Sequence, residues 1–175
     1  LTRVPGQRAN FSHTQLNNVR MDDAQLHRAN FQHAMMYKAH ARRAVFHRAN
    51  LTGATLTDGH FDNAVFTKVK AHKAQFKDAE LSGADFSGAD LTGADMRHVV
   101  AMGASLKHAT LKDVNFAGAS LTTVDFTGAD LRGAMLTDVV SIQNNLHNIT
   151  LSADTRCPNG ELAGPSKQCD FSFTK

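Results

Sequence analysis

The chain has no tryptophan, a single tyrosine (Tyr37), three prolines and two cysteines in 175 residues, and each scarcity excludes something. No apolar run approaches the eighteen or so residues of a membrane-spanning helix. With no aromatic platform on which exposed bases could stack, nucleic acid is not an expected partner. Two cysteines are too few for a structural zinc site, which takes four ligands. No glycine-rich loop leads from a strand into a helix, and no nucleophile stands in a motif with a base, so neither an enzyme nor a cofactor site is expected. No secretory leader is visible, and the chain opens on Leu1 rather than Met, as a processed or trimmed product does.

What the sequence does have is a period of five. From Ala9 to Leu151 a small residue is followed two places later by a larger apolar one, without insertion or deletion. The large place (Phe11, Leu16, Met21, Leu26, Phe31 and onward) occurs 29 times: 9 Phe, 13 Leu, 3 Met, 3 Ala and Ser141. The small place is Ala in 19 of 29 cases and Val in 6. Neither common element returns to one face every five residues, since a helix does so every 3.6 and a strand every 2. The consistent reading is a solenoid in which each unit makes one short side of a coil and turns a corner before the next.

Blocks such as Ala84-Asp85-Phe86-Ser87-Gly88, Ala89-Asp90-Leu91-Thr92-Gly93 and Ala129-Asp130-Leu131-Arg132-Gly133 resemble the A(D/N)LXX unit of the pentapeptide-repeat family. The resemblance implies an all-β chain: a right-handed quadrilateral β-helix with four units per coil. Seven or so coils at ~4.8 Å spacing would stack to roughly 34 Å. The expected organisation is a lead-in over residues 1–8, the β-helix over 9–151 and a short C-terminal cap over 152–175. Ala41, Ala71 and Ala101 stand where a large residue is the rule, marking a thin core or a bend.

The repeat also disposes of two false signals. Asp85, Asp90, Asp95, Asp125 and Asp130 occupy the Asp/Asn place of the unit, so they read as structural rather than as acid–base pairs. The sequons at Asn10, Asn50 and Asn148 read as by-products of Asn before, and Ser or Thr after, the large place.

Charge is unevenly placed. Residues 1–80 carry 12 Lys and Arg against 6 acids, and residues 81–175 carry 7 against 10. Folded into columns of twenty, Arg28, Arg48 and Lys68 line up with His27 and His47 beside them, and His40 falls over His60. These residues are the candidate binding face, where an anion or nucleic-acid surface is better motivated than a metal, beside the plainer reading of a solvated face that keeps the rod soluble. Each His pair supplies two ligands where a metal wants three or four, so no metal is expected. Adjacent imidazolium groups repel, so their pKa values are expected to fall, and mild acid is expected to raise the net charge of +3 steeply.

A solenoid must cover its last apolar rungs. Cys157 and Cys169, twelve residues apart across Pro-Asn-Gly and Gly-Pro turns, read as a disulfide in that cover, with Phe171 and Phe173 buried beneath it. A disulfide favours an exported, periplasmic or thylakoid-lumenal protein, whereas two reduced thiols would fit a cytoplasmic one. The leading expectation is a non-enzymatic structural or protein-interaction module, and a monomer. The resemblance supplies one alternative, gyrase binding by mimicry of DNA. The basic early coils, the absence of interrupting loops and the cysteine-bearing tail all depart from that pattern. The other alternative is anion or nucleic-acid binding through the basic face.

Overall fold

A computed structural model describes residues 6–140, 143–166 and 168–171. Parallel bridges join each residue of the Asp/Asn place to the one twenty further on, without a break from Asn10 with Asn30 to Asp130 with Thr150. Twenty residues therefore make one coil, and four five-residue units make its four sides.

One unit shows why this sequence turns where it does. The Phe11 N–H donates to the Asn30 carbonyl at 2.7 Å and the His13 N–H to that of Gln32 at 2.9 Å, both in the coil above. The Thr14 N–H folds back onto the Phe11 carbonyl, closing a four-residue turn. That turn puts His13 at φ 56°, in the left-handed region that type II turns demand of their third residue. The same φ recurs at every corner, and most of the residues holding it are not glycine. The remaining N–H, that of Ser12, is taken by the Asn10 side chain at 3.1 Å. Asp85, Asp90, Asp95, Asp125 and Asp130 do the same for the N–H two residues on. This Asx turn is the physical reason for the Asp/Asn place.

Every large and small place from Met21 to Val139 is buried. Phe46, Phe66 and Phe86 stack face to face through three successive coils at 4.8 and 4.6 Å, with Phe61 and Phe76 meeting them edge-on. Ala71 belongs to this packing. Its coil already holds Phe61, Phe66 and Phe76, whose ring centroids lie within 6.3 Å of one another, so a fourth large side chain would overfill the layer. The bridges pass Ala41, Ala71 and Ala101 without a change of register, and all three are buried. At Ala71 the neighbouring rings make up the layer.

The coil register extends to Gly6 and Arg8, which bond to the carbonyls of Gln25 and His27. At the other end it slips by one residue, Met135 bridging Arg156, and an antiparallel contact of Arg156 with Leu162 starts the cover. Cys157 and Cys169 are disulfide-bonded, their Cα atoms 5.2 Å apart. Buried Thr155 bonds the Leu131 carbonyl, and Phe171 packs on the last rungs with Leu146 and Ile149. Ser141 and Phe173 lie outside the described residues.

Candidate anion-binding face

The corners carry the chemistry. Arg8, Arg28, Arg48 and Lys68 occupy one corner of four successive coils, at φ 56–59°. Their N–H groups donate to His27, His47, Thr67 and Ser87 in the coil above at 2.9–3.0 Å, so the ladder itself holds them left-handed. An L-residue there gives up about 1 kcal/mol or more. Their side chains stand in a column at the ~4.8 Å interstrand spacing.

Beside this column, His27 and His47 meet edge-on with ring centroids 6.1 Å apart. A Gln25 oxygen lies 3.1 Å from His27 Nε2, and Thr67 Oγ1 lies 2.6 Å from His47 Nδ1. Burial, followed by the charges of Arg48, His27, Lys68 and Arg28, lowers the His47 pKa from its usual 6.5. Gln7, Arg8, His27, Arg28 and His47 line a shallow groove of about 340 Å³.

Among the described residues, negative charge reaches this part of the coil at its edges, where His72 meets Asp90 of the next coil and Lys77 meets Asp78. Residues 6–17, 25–37, 45–57 and 65–77, which make two adjoining sides of the first four coils, include no Asp or Glu. All six acids of residues 1–80 (Asp22, Asp23, Asp58, Asp62, Asp78 and Glu80) fall elsewhere around the coil. Three of them meet cations off the strip: Arg43 is bidentate to Asp23 at 2.8 and 2.9 Å, and Arg42 reaches Asp62 and Glu80. In later coils Arg97 pairs with Asp95, Lys107 with Asp125, and both Lys112 and Arg132 with Asp130. Arg8, Arg28, Arg48 and Lys68 have no carboxylate at ion-pair distance among the described residues.

His40 and His60 do not join this face. They stack at 4.8 Å on another part of the coil, in a groove with Asn18, Lys38, Asp58, Asp78 and Glu80. Pairwise reading of the histidines overlooks Glu80, which continues their column twenty residues on, its Oε2 2.6 Å from His60 Nδ1. That hydrogen bond, opposed by partial burial and helped by Arg42, holds the Glu80 carboxyl below the usual range. No group of three or more His, Cys, Asp or Glu among the described residues is arranged to hold a metal ion. Asn148 also departs from its expected place. It sits exposed at a left-handed corner (φ 56°), whereas Asn10 and Asn50 bridge between coils and accept a backbone N–H.

The chain matches two family signatures: pentapeptide repeats (8 copies) over residues 7–40 and 44–83, and a pentapeptide repeat region over 69–147. It belongs to the pentapeptide-repeat family, whose members form right-handed quadrilateral β-helices. Among solved structures it is similar to a pentapeptide repeat protein of the Arabidopsis thaliana thylakoid lumen, with 29% identity over 54% of this chain and 66% of that one, TM-score 0.53. It is also similar to the pentapeptide repeat protein Rfr23 of the cyanobacterium Cyanothece 51142, with 26% identity over 57% of this chain and 61% of that one, TM-score 0.35. A third is QnrB1, a plasmid-mediated fluoroquinolone resistance protein, with 17% identity over 83% of this chain and 86% of that one, TM-score 0.36. The chain spans less than two thirds of the first two relatives' own length. No curated protein matches it.

Proposed function

We propose that the protein is a non-catalytic docking rod that presents the acid-free strip of its first four coils to a partner protein in an oxidising compartment outside the cytoplasm. The observation that carries this reading is the segregation of charge. Seven lysines and arginines and five histidines occupy the strip without one carboxylate, and a rigid ladder fixes their spacing. The general use of solenoid faces as extended binding surfaces supports it, as does the family, whose members are generally structural or interaction modules. The Cys157–Cys169 disulfide and the thylakoid-lumenal relative support the compartment.

Affinity capture from the native compartment, with wild type beside the variant R28D/R48D, tests the reading. A partner held by wild type and released by the variant is the expected result. Equal capture by both proteins, or protection of gyrase from a quinolone by the purified chain, would contradict it.

A further inference from the structure

We propose that the column of Arg8, Arg28, Arg48 and Lys68, flanked by His27 and His47, binds a linear chain of phosphate or sulfate groups. The inference rests on reading the acid-free strip as a binding face, and it gives the cation column within that strip a non-protein ligand chemistry of its own.

Three observations lead to it. The first is the contrast in pairing. Arg42, Arg43, Arg97, Lys107, Lys112 and Arg132 hold carboxylates at 2.6–3.6 Å, and Lys77 at the edge of the strip holds Asp78, whereas the four cations of this column hold none among the described residues. The second is energetic. Like charges stacked at the coil spacing repel, and each of the four also occupies a backbone conformation that L-residues resist. No carboxylate on the strip offsets either cost, and an anion laid along the column offsets the repulsion.

The third observation is spacing. The cations repeat at ~4.8 Å, while an extended peptide places side chains of one face ~6.8 Å apart, so a run of Glu or Asp drifts out of register within two or three coils. A polyphosphate carries its charges on the backbone itself and needs no such register, and sulfate groups pendant on a flexible chain present the same tetrahedral oxyanions. Guanidinium forks suit tetrahedral oxyanions, which they bind with two parallel hydrogen bonds. His27 and His47 are steadied by Gln25 and Thr67 at the edge of the same groove. Nucleic acid shares the phosphates, but the strip offers its bases no Trp and one Tyr.

Fluorescence anisotropy of end-labelled long-chain polyphosphate, titrated with the full chain at several salt concentrations, tests the proposal. Sulfated polysaccharide, polyglutamate and single-stranded DNA serve as competitors. Binding is expected to weaken with salt at a logarithmic slope of about 3–4, one per cation of the column. R28Q/R48Q is expected to lose on the order of tenfold or more in affinity and about two units of slope. R28G/R48G, which relieves the corner strain, is expected to lose as much while melting no lower than wild type. K112Q, taken from a paired cation, is expected to bind as wild type does. The stronger of polyphosphate and sulfated polysaccharide then identifies the source of the oxyanions.

Absence of binding at low salt would overturn the proposal, as would full affinity in both double variants, or DNA competing as strongly as polyphosphate. Polyglutamate competing as strongly would overturn it too, while leaving the docking reading intact. Failure of the docking reading shows instead as capture that R28D/R48D does not change.

Discussion

The first four coils and the later ones are the same object inside and different objects outside. In both, the backbone ladder keeps a twenty-residue register, which holds from Asn10 to Thr150 and slips by one residue only where Met135 meets Arg156. In the later coils the left-handed corners are often glycine, at Gly83, Gly88, Gly93, Gly103, Gly118, Gly128 and Gly133. There the Asp places of the unit pair with neighbouring Lys and Arg. Among the described residues of the first four coils Gly53 is the only glycine at a corner, and Arg, Lys, His, Asp and Asn take the others. The bridge places facing the strip are Asn, Gln, Thr, Val, Met and Lys in place of Asp. A cross-section that needs only small and large apolar residues leaves the outside free to vary. The early coils use that freedom for uncompensated charge, and the later ones for relaxed corners and paired charge.

Some of the later glycines answer to more than backbone freedom. A Cβ at Gly118 or Gly128 would fall 2.4 Å from Nδ1 of His98 or His108, whose rings lie over them from the coil before. Alanine at either place is therefore disfavoured on two counts: the ring must shift, and the corner stands at φ near 70°.

The interiors give the largest test of how alike the two regions are. Phe66 is sealed between Phe46 and Phe86, so Phe66→Ala should cost about 3–5 kcal/mol. Leu111→Ala in the Leu-rich coils should cost about 2–4 kcal/mol. Urea denaturation that ranks them in the opposite order would show that the Phe stack is not the tighter part. The two ends differ next: the cap carries a disulfide. Reducing it or making C157S/C169S should cost about 3 kcal/mol and expose amides near Val139 and Leu146 to hydrogen exchange first, while those near Phe31 stay protected.

At the Asp places the expected effect is smaller. Burial works against ionisation of Asp125, but the Thr127 hydroxyl and N–H and the Lys107 ammonium outweigh it and hold the carboxyl at about 2. Its contribution to stability should therefore persist at neutral pH and vanish as pH falls from the ordinary 3.8 through 2. Asp125→Asn, which keeps the acceptor for Thr127, should be milder than Asp125→Ala, which strands that N–H at about 1 kcal/mol or more. Equal melting temperatures for the two would contradict the Asx role.

The early coils respond to acid in the opposite sense of charge. With the His47 pKa lowered below 6.5 in the folded chain, the unfolded chain binds more protons between the two values. Stability should then fall as pH drops below 6.5, and His47→Gln should flatten that part of the curve. An unchanged profile in the variant would show that His47 is not the group responsible.

The interior of this fold was legible because it is repetitive. Phe11, Leu16, Met21 and their successors announce a solenoid, and the Ala84-Asp85-Phe86 type of block announces which one. The exterior was legible only in part. The Arg28, Arg48 and Lys68 column follows from counting by twenty, and so does Glu80 above His60. What single columns hide is the emptiness of acid across two whole sides, which appears only when all columns are laid next to each other. The pairing of Lys107 with Asp125 depends on side-chain reach around a corner, which no period encodes. That Ala71 stands in a layer filled by the rings of Phe61, Phe66 and Phe76 depends likewise on packing between neighbouring sides.

The central claim is that the first four coils hold strained, unpaired cations at a cost in stability, and the melting temperature of R28G/R48G in low-salt buffer tests it most directly. Relief of two left-handed corners and of their mutual repulsion, less the added freedom of glycine in the unfolded chain, should raise stability by about 1 kcal/mol and shift the midpoint upward. A midpoint below that of wild type would show that these arginines stabilise the coils they stand on, and would contradict the account.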